Sequence, residues 1–360
     1  MKFVDEYRDP ALVREIADRI RAESRVPATF MEVCGSHTMA IQRFGIPSLL
    51  PDNLTLISGP GCPVCVTEIG FIDHACALAK RPSTIVATFG DLIRVPGSVS
   101  SLERTRASGS DIRVVQSSLE ALSLARDNPG SDIVFLGIGF ETTAPTTAAA
   151  VQQAFHAGVG NFTVLSAHKV MKPAMLALVA DGVELDGYIC PGHVSIVTGS
   201  RMYEEIVSQC SLGCVVSGFE PVDILKAILM LVRQRESGTS RVEIAYTRAV
   251  TRDGSAPALR LLEEVFTPVP AVWRGLGSIP ESGLGFAEKY REYDAAGRFQ
   301  VEVPEAREPA GCRCGDVLRG VCPPDQCPLY GAACTPESPV GACMVSSEGT
   351  CAAHYRYEHA

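Results

Sequence analysis

Two hydrophobic periods take turns along this chain. Residues 11–23 place Leu12, Val13, Ile16 and Ile20 on one helical face, with charged positions between them, and predict an amphipathic helix. One theme then recurs: a short apolar run ends abruptly in a Gly-rich or polar turn, and a helical pattern follows. The runs at 30–33, 54–58, 84–88, 112–116, 133–138, 162–166, 187–190 and 214–217 predict strands, and a further strand is expected at 241–246. Strands that alternate with helices predict parallel α/β sheets. Eight of them in about 200 residues fit two similar small parallel-sheet domains better than one wide sheet.

Three of these runs end alike, in Thr88-Phe89-Gly90-Asp91, Gly139-Phe140-Glu141-Thr142 and Gly218-Phe219-Glu220-Pro221. An acid at such a position suits a helix N-terminus electrostatically. The periodicity then fades. Residues 266–311 carry Pro268, Pro270, Pro280, Pro304 and Pro309 and predict an extended connection. The expected division is an α/β domain at 1–125 carrying Cys34 and the Cys62/Cys65 pair, a second α/β domain at 126–260, and the connection with a Cys-rich C-terminal domain at 261–360.

Composition narrows the function classes. With 46% hydrophobic and 20% charged residues the chain is globular. A net charge of −9 without a dense Lys/Arg run argues against a nucleic-acid partner. The N-terminus lacks an apolar signal core, and the richest apolar run, 224–232, is short and broken by Lys226. The expected location is the cytoplasm, with no membrane partner. In a reducing compartment, cysteines are read as metal ligands or redox groups before they are read as a disulfide framework.

That reading matters because the chain has 14 cysteines, seven of them crowded into 312–351. Cys314, Cys327, Cys334 and Cys351 give a C-x12-C-x6-C-x16-C spacing, and Cys312 is an alternative first member. Four thiolates are what an iron–sulfur cluster needs. Four-thiolate zinc is the competing assignment, since spacing alone does not choose between the metals. Cys322 and Cys343 remain open as ligands. The region is poor in aliphatic residues, so a metal centre would act as its staple.

Ligands of open parallel sheets bind beyond the carboxyl ends of the strands. Cys34 and His37 follow the first predicted strand, Cys62 and Cys65 the second, His168 and Lys169 the sixth, and His193 the seventh. Cys62-Pro63-Val64-Cys65 can close a disulfide or chelate one metal ion, and a helix opening at this point would favour the thiolate. Glu141-Thr142-Thr143 is read as a helix cap or an anion-binding turn. Cys76, Cys190, Cys210 and Cys214 are read as core residues.

Together, Cys34-Gly35-Ser36-His37-Thr38, Gly59-Pro60-Gly61-Cys62-Pro63-Val64-Cys65, Gly139-Phe140-Glu141-Thr142-Thr143, Pro191-Gly192-His193-Val194-Ser195 and Cys343-Met344-Val345-Ser346-Ser347-Glu348-Gly349-Thr350-Cys351 resemble the HypD family of [NiFe]-hydrogenase maturation proteins. The resemblance extends over nearly the whole chain. It implies two similar α/β domains and a C-terminal domain holding a [4Fe-4S] cluster. It also implies a scaffold, with redox activity, on which the Fe(CN)2CO unit is assembled. The implied partners are a HypC-like small chaperone, a HypE-like cyanide donor working with HypF, and, through HypC, the hydrogenase large-subunit precursor. Carried onto this sequence, Cys34 would be the iron-site cysteine shared with the HypC-like protein. Cys62 and Cys65 would be the dithiol near that iron, and His37, His193 and Glu348 would support it. The alternative reading is a freestanding iron–sulfur disulfide oxidoreductase of the ferredoxin:thioredoxin reductase type. A zinc-stapled adaptor without redox chemistry is a third.

Overall fold

The computed structural model describes residues 5–357. Its strands are β1 (Ala28–Glu32), β2 (Leu54–Ser58), β3 (Thr84–Thr88), β4 (Asp111–Val114), β5 (Asp132–Gly139), β6 (Phe162–His168), β7 (Gly187–Pro191), β8 (Gly213–Ser217), β9 (Val242–Ile244), β10 (Phe266–Trp273) and β11 (Gly277–Phe286). Strands β1, β2 and β7–β9 form one parallel sheet in the order β2-β1-β7-β8-β9. Strands β3–β6 form a second, in the order β4-β3-β5-β6. The α/β class with two parallel sheets is thus as the periodicity predicts. The central strand β5 is buried at every position but its first, which is why it reads as a continuous apolar run: helices cover both faces.

The predicted first helix spans Pro10–Glu23. Asp9 caps it by accepting from the Ala11 N–H at 2.8 Å, and Pro10 fits the first turn, where no N–H is needed. Its Ile16 and Ile20 join Phe30 of β1, Val215 of β8 and Ile224, Leu225 and Ile228 of the helix Pro221–Glu236 in one core. No helix among the described residues is long and apolar enough to cross a membrane.

Two expectations need correction. The sheets do not follow the linear division at residues 125 and 260. The chain lays down β1 and β2, crosses over to build the whole second sheet, and returns for β7–β9. A boundary at 125 separates β4 from β5, which belong to the same sheet. Periodicity identifies each strand alone and carries no information about its neighbours.

The segment 266–311 is not an extended connection throughout. It opens with the antiparallel hairpin β10–β11, paired from Phe266/Phe286 to Trp273/Gly277, and continues into the 3-10 helix Glu288–Tyr293. A register shift between Val269 and Ala271 breaks the alternation, and Pro268 and Pro270 lie in a strand whose outer edge has no partner strand. Those features hid the hairpin. It clasps both halves of the molecule: Trp273 bridges to Thr67, and Gly283 bridges to Lys169 beyond β6. Trp273 is buried and donates its indole N–H to Ser282 Oγ at 2.8 Å.

Candidate metal centre and dithiol

Because β1 and β2 are adjacent and parallel, the turns that follow them emerge side by side. The Gly35 N–H donates to the Gly61 carbonyl at 2.9 Å. A Cβ on Gly61 would lie 2.1 Å from the Cys34 backbone nitrogen, so only glycine lets the two turns touch. Cys34 stands at the N-cap of the helix Gly35–Arg43, and Cys62 at the N-cap of the short helix Pro63–Val66. Cys62 and Cys65 are joined as a disulfide, with Cα atoms 5.2 Å apart.

Cys34 is buried, and desolvation, with Glu348 and Glu32 adding like charge, pushes its thiol up to about 12. Beneath it lies Glu32, the last residue of β1. This carboxyl is 1% exposed; it accepts from the Cys34 N–H at 2.9 Å and from the Thr38 hydroxyl. Burial raises it to about 7 despite those bonds.

His37 donates its Nε2–H to the Gly218 carbonyl at 2.9 Å. A carbonyl only accepts, so Nε2 carries the proton. Nδ1 is then a bare lone pair, buried and without a partner. Burial lowers the imidazole to about 4, so it is neutral at physiological pH. The Phe219 ring stacks on His193 at 3.9 Å between centroids and lies 4.9 Å from His37, so one aromatic ring joins the two imidazoles. Desolvation also lowers His193, against the pull of Glu348.

Glu348 arrives from the far end of the chain. It packs on Gly35, where an added Cβ would meet its side chain at 2.6 Å, and accepts from Ser36 Oγ at 2.6 Å. Nearby, Ser346 Oγ lies 3.2 Å from the Asp91 carboxylate, which follows β3 of the other sheet. The C-terminal segment therefore closes over the turns that leave both sheets.

The same segment carries the cysteine cluster. Cys312, Cys314, Cys327, Cys334, Cys343 and Cys351, with Tyr330, Gly341 and Met344, line one apolar cavity. The sulfurs of Cys314 and Cys343 are 2.7 Å apart. Hydrogen bonds from Cys312 and Cys343 pull the Cys314 thiol well below its ordinary range, and the Arg274 charge adds to this against the cost of burial. The cavity adjoins the dithiol, since the Cys65 sulfur lies 3.9 Å from the carbonyl of Ala342, the neighbour of Cys343. Among the described residues no three His, Cys, Asp or Glu side chains form a ready single-ion site. A cluster takes its thiolates at separate iron atoms, and a cavity lined by six thiols has the donor type and number for that.

The profile of the HypD family, described as "Hydrogenase formation hypA family", matches residues 11–358. The chain is 47% identical to a hydrogenase maturation factor HypD of Azotobacter vinelandii, over 99% of this chain and 97% of that one. It is 46% identical to the HypD of Cupriavidus necator and 43% identical to that of Escherichia coli K12, over 99% of this chain in each case. The chain belongs to the HypD family.

In this HypD-family chain, Cys34, His37, Cys62, Cys65 and His193 fall at the strand-end edge, and Glu348 lies in the C-terminal segment packed on it. Cys322 does not line the cysteine cavity. It lines a separate apolar pocket with Ile41, Ile57 and Val317. His168 is buried, 2.7 Å from the Gly137 carbonyl and 3.0 Å from Thr147 Oγ1. Glu141 accepts from the N–H of Met171, the first residue of the helix Met171–Ala180, at 3.0 Å. Sequence reasoning missed Glu32 and Arg274. An acid inside an apolar run was the available signal for Glu32; Arg274 lay in a stretch without readable periodicity.

Proposed function

We propose that this protein is the scaffold on which the Fe(CN)2CO unit of a [NiFe]-hydrogenase is assembled in the cytoplasm. Iron, as cargo, is held by Cys34 together with a HypC-like partner, and cyanide is received from a HypE-like partner working with HypF. The observation that carries this reading is a convergence. An isolated buried cysteine, a Cys-x-x-Cys disulfide and a thiol-lined cavity meet at one edge of one sheet, within reach of the Cys65–Ala342 contact.

Four of the six cavity thiols would hold a [4Fe-4S] cluster: Cys327, Cys334 and Cys351, with Cys314 or Cys312 as the first. Cys343, within hydrogen-bond distance of Cys314, is a further candidate. Such a cluster supplies single electrons when bound. The Cys62–Cys65 disulfide takes two electrons and two protons to become two thiols, and their thiolates are the soft donors that low-spin iron with cyanide and CO calls for. His37 offers an unpaired Nδ1 acceptor. Glu348 and His193 face each other electrostatically beside it and would hold or pass a proton.

The test is an infrared spectrum of the protein purified anaerobically after coexpression with a HypC-like protein and the cyanide-making enzymes. Metal-bound cyanide and CO bands are expected, and they should vanish in Cys34→Ala. Cys62→Ala should stop hydrogenase maturation yet keep the brown cluster absorbance. A brown protein without the bands, while hydrogenase still matures, would reverse the reading in favour of a freestanding disulfide reductase. The near full-length family match argues against that alternative. A colourless protein would favour zinc.

A further inference from the structure

Arg274 is a buried guanidinium whose segment touches both the turn after the dithiol and the helix that starts at Cys314. It sits at the end of the β10–β11 hairpin and is 5% exposed. Its backbone N–H donates to the Val66 carbonyl at 2.9 Å, one residue beyond Cys65. Its Nε and Nη2 donate to the Thr67 carbonyl at 3.2 and 3.1 Å. On the other side, Gly275 and Gly315 press backbone to backbone, because a Cβ on Gly275 (φ +82°) would lie 2.4 Å from the Gly315 Cα. This contact brings the Arg274 segment against the short helix that begins at Cys314.

A charge is costly to bury unless it is paired. The carboxylate partner of Arg274 is Glu308 at 2.7 Å, and the Glu308 side chain is 54% exposed and therefore hydrated. The remaining bonds go to one neutral carbonyl, which a neutral donor would satisfy as well. The ion pair is therefore lopsided: its positive end is buried and its negative end is screened by water, so the field it sends into the protein is positive. A centre held by four thiolates is anionic, and accepting an electron adds one more negative charge.

We propose that Arg274 sets the reduction potential of the centre held in the cysteine cavity, raising it by stabilising the reduced form, so that the electron rests beside the dithiol. This rests on the cluster reading above. Arg274 acts through the field at the ligands and touches no reacting atom; it is a positioning residue.

The experiment is a potentiometric titration of the full chain, reconstituted anaerobically with iron and sulfide and followed by electron paramagnetic resonance. In Arg274→Gln the reduced-to-oxidised ratio at the wild-type midpoint should fall about tenfold, a displacement of ~59 mV for one electron. Arg274→Lys should recover most of that, because it keeps the charge while losing the paired bonds to Thr67. Glu308→Gln should move the midpoint the opposite way. An unmoved midpoint in Arg274→Gln with an intact cluster, or a Lys variant displaced as far as the Gln variant, overturns the proposal. If Arg274→Gln takes up no cluster, Glu308→Gln decides: an upward shift supports the proposal and an unmoved midpoint overturns it. A wild-type chain that takes up no cluster overturns the cluster reading itself, which is a distinguishable failure.

Discussion

At the scale of single residues, the chain buries two carboxyls, Glu32 and Glu141, whose burial raises each to about 7. Glu141 is the third residue of the Gly139-Phe140-Glu141-Thr142-Thr143 motif, and its Oε2 has no partner. A carboxyl whose folded value lies above its unfolded one binds its proton more tightly in the native state. Stability is therefore highest at low pH for this group and falls as pH climbs from the ordinary carboxyl range through about 7. A shift of that size corresponds to roughly 3 kcal/mol. Glu141→Gln should raise the melting temperature at pH 8 and change it little at pH 4.5. A gain equal at both pH values would show that ionisation is not the cause. Residues of this kind explain what the sequence could and could not tell. Cys34, His37, Cys62, Cys65 and His193 were readable because each follows a strand end with turn chemistry around it. Glu32 and Arg274 act through burial and long-range contacts, which no local pattern encodes.

At the scale of elements, the site depends on backbones that approach closer than a side chain allows. Gly61 lies against the Cys34 main chain, and neither segment can move without pulling β1 or β2. Gly61→Ala should cost about 3 kcal/mol or more, through forced separation of the two turns. Chemical denaturation would register that loss, and a variant as stable as wild type would refute the close approach. The strands and the first helix were legible because their periods are clean and their caps local. The β10–β11 hairpin was not, since a register shift and two prolines erase its alternation. That element carries Trp273 and Arg274 to the dithiol, so the blind spot in the sequence coincides with a working part of the site.

At the scale of the whole molecule, the C-terminal segment holds few large aliphatic side chains and wraps both sheets through Ser346, Glu348 and the helix Thr350–Tyr357. A metal centre at its heart would supply what an apolar core cannot. Iron-free protein should be cut by protease within 312–351 while the parallel sheets survive. Iron and sulfide should restore protection, as mass analysis of the fragments would reveal; equal resistance with and without iron would argue against a metal staple. The interrupted first sheet bears on how the protein is made. Its β1 and β2 leave the ribosome with Cys34, Cys62 and Cys65, but the strand that completes the wall beside them, β7, follows only after the entire second sheet. At ordinary rates of synthesis that interval is on the order of ten seconds. During that time three thiols meant for a sheltered site stand uncovered on a nascent chain. Their oxidation state at release is set by the surrounding cell, before the finished fold can govern it.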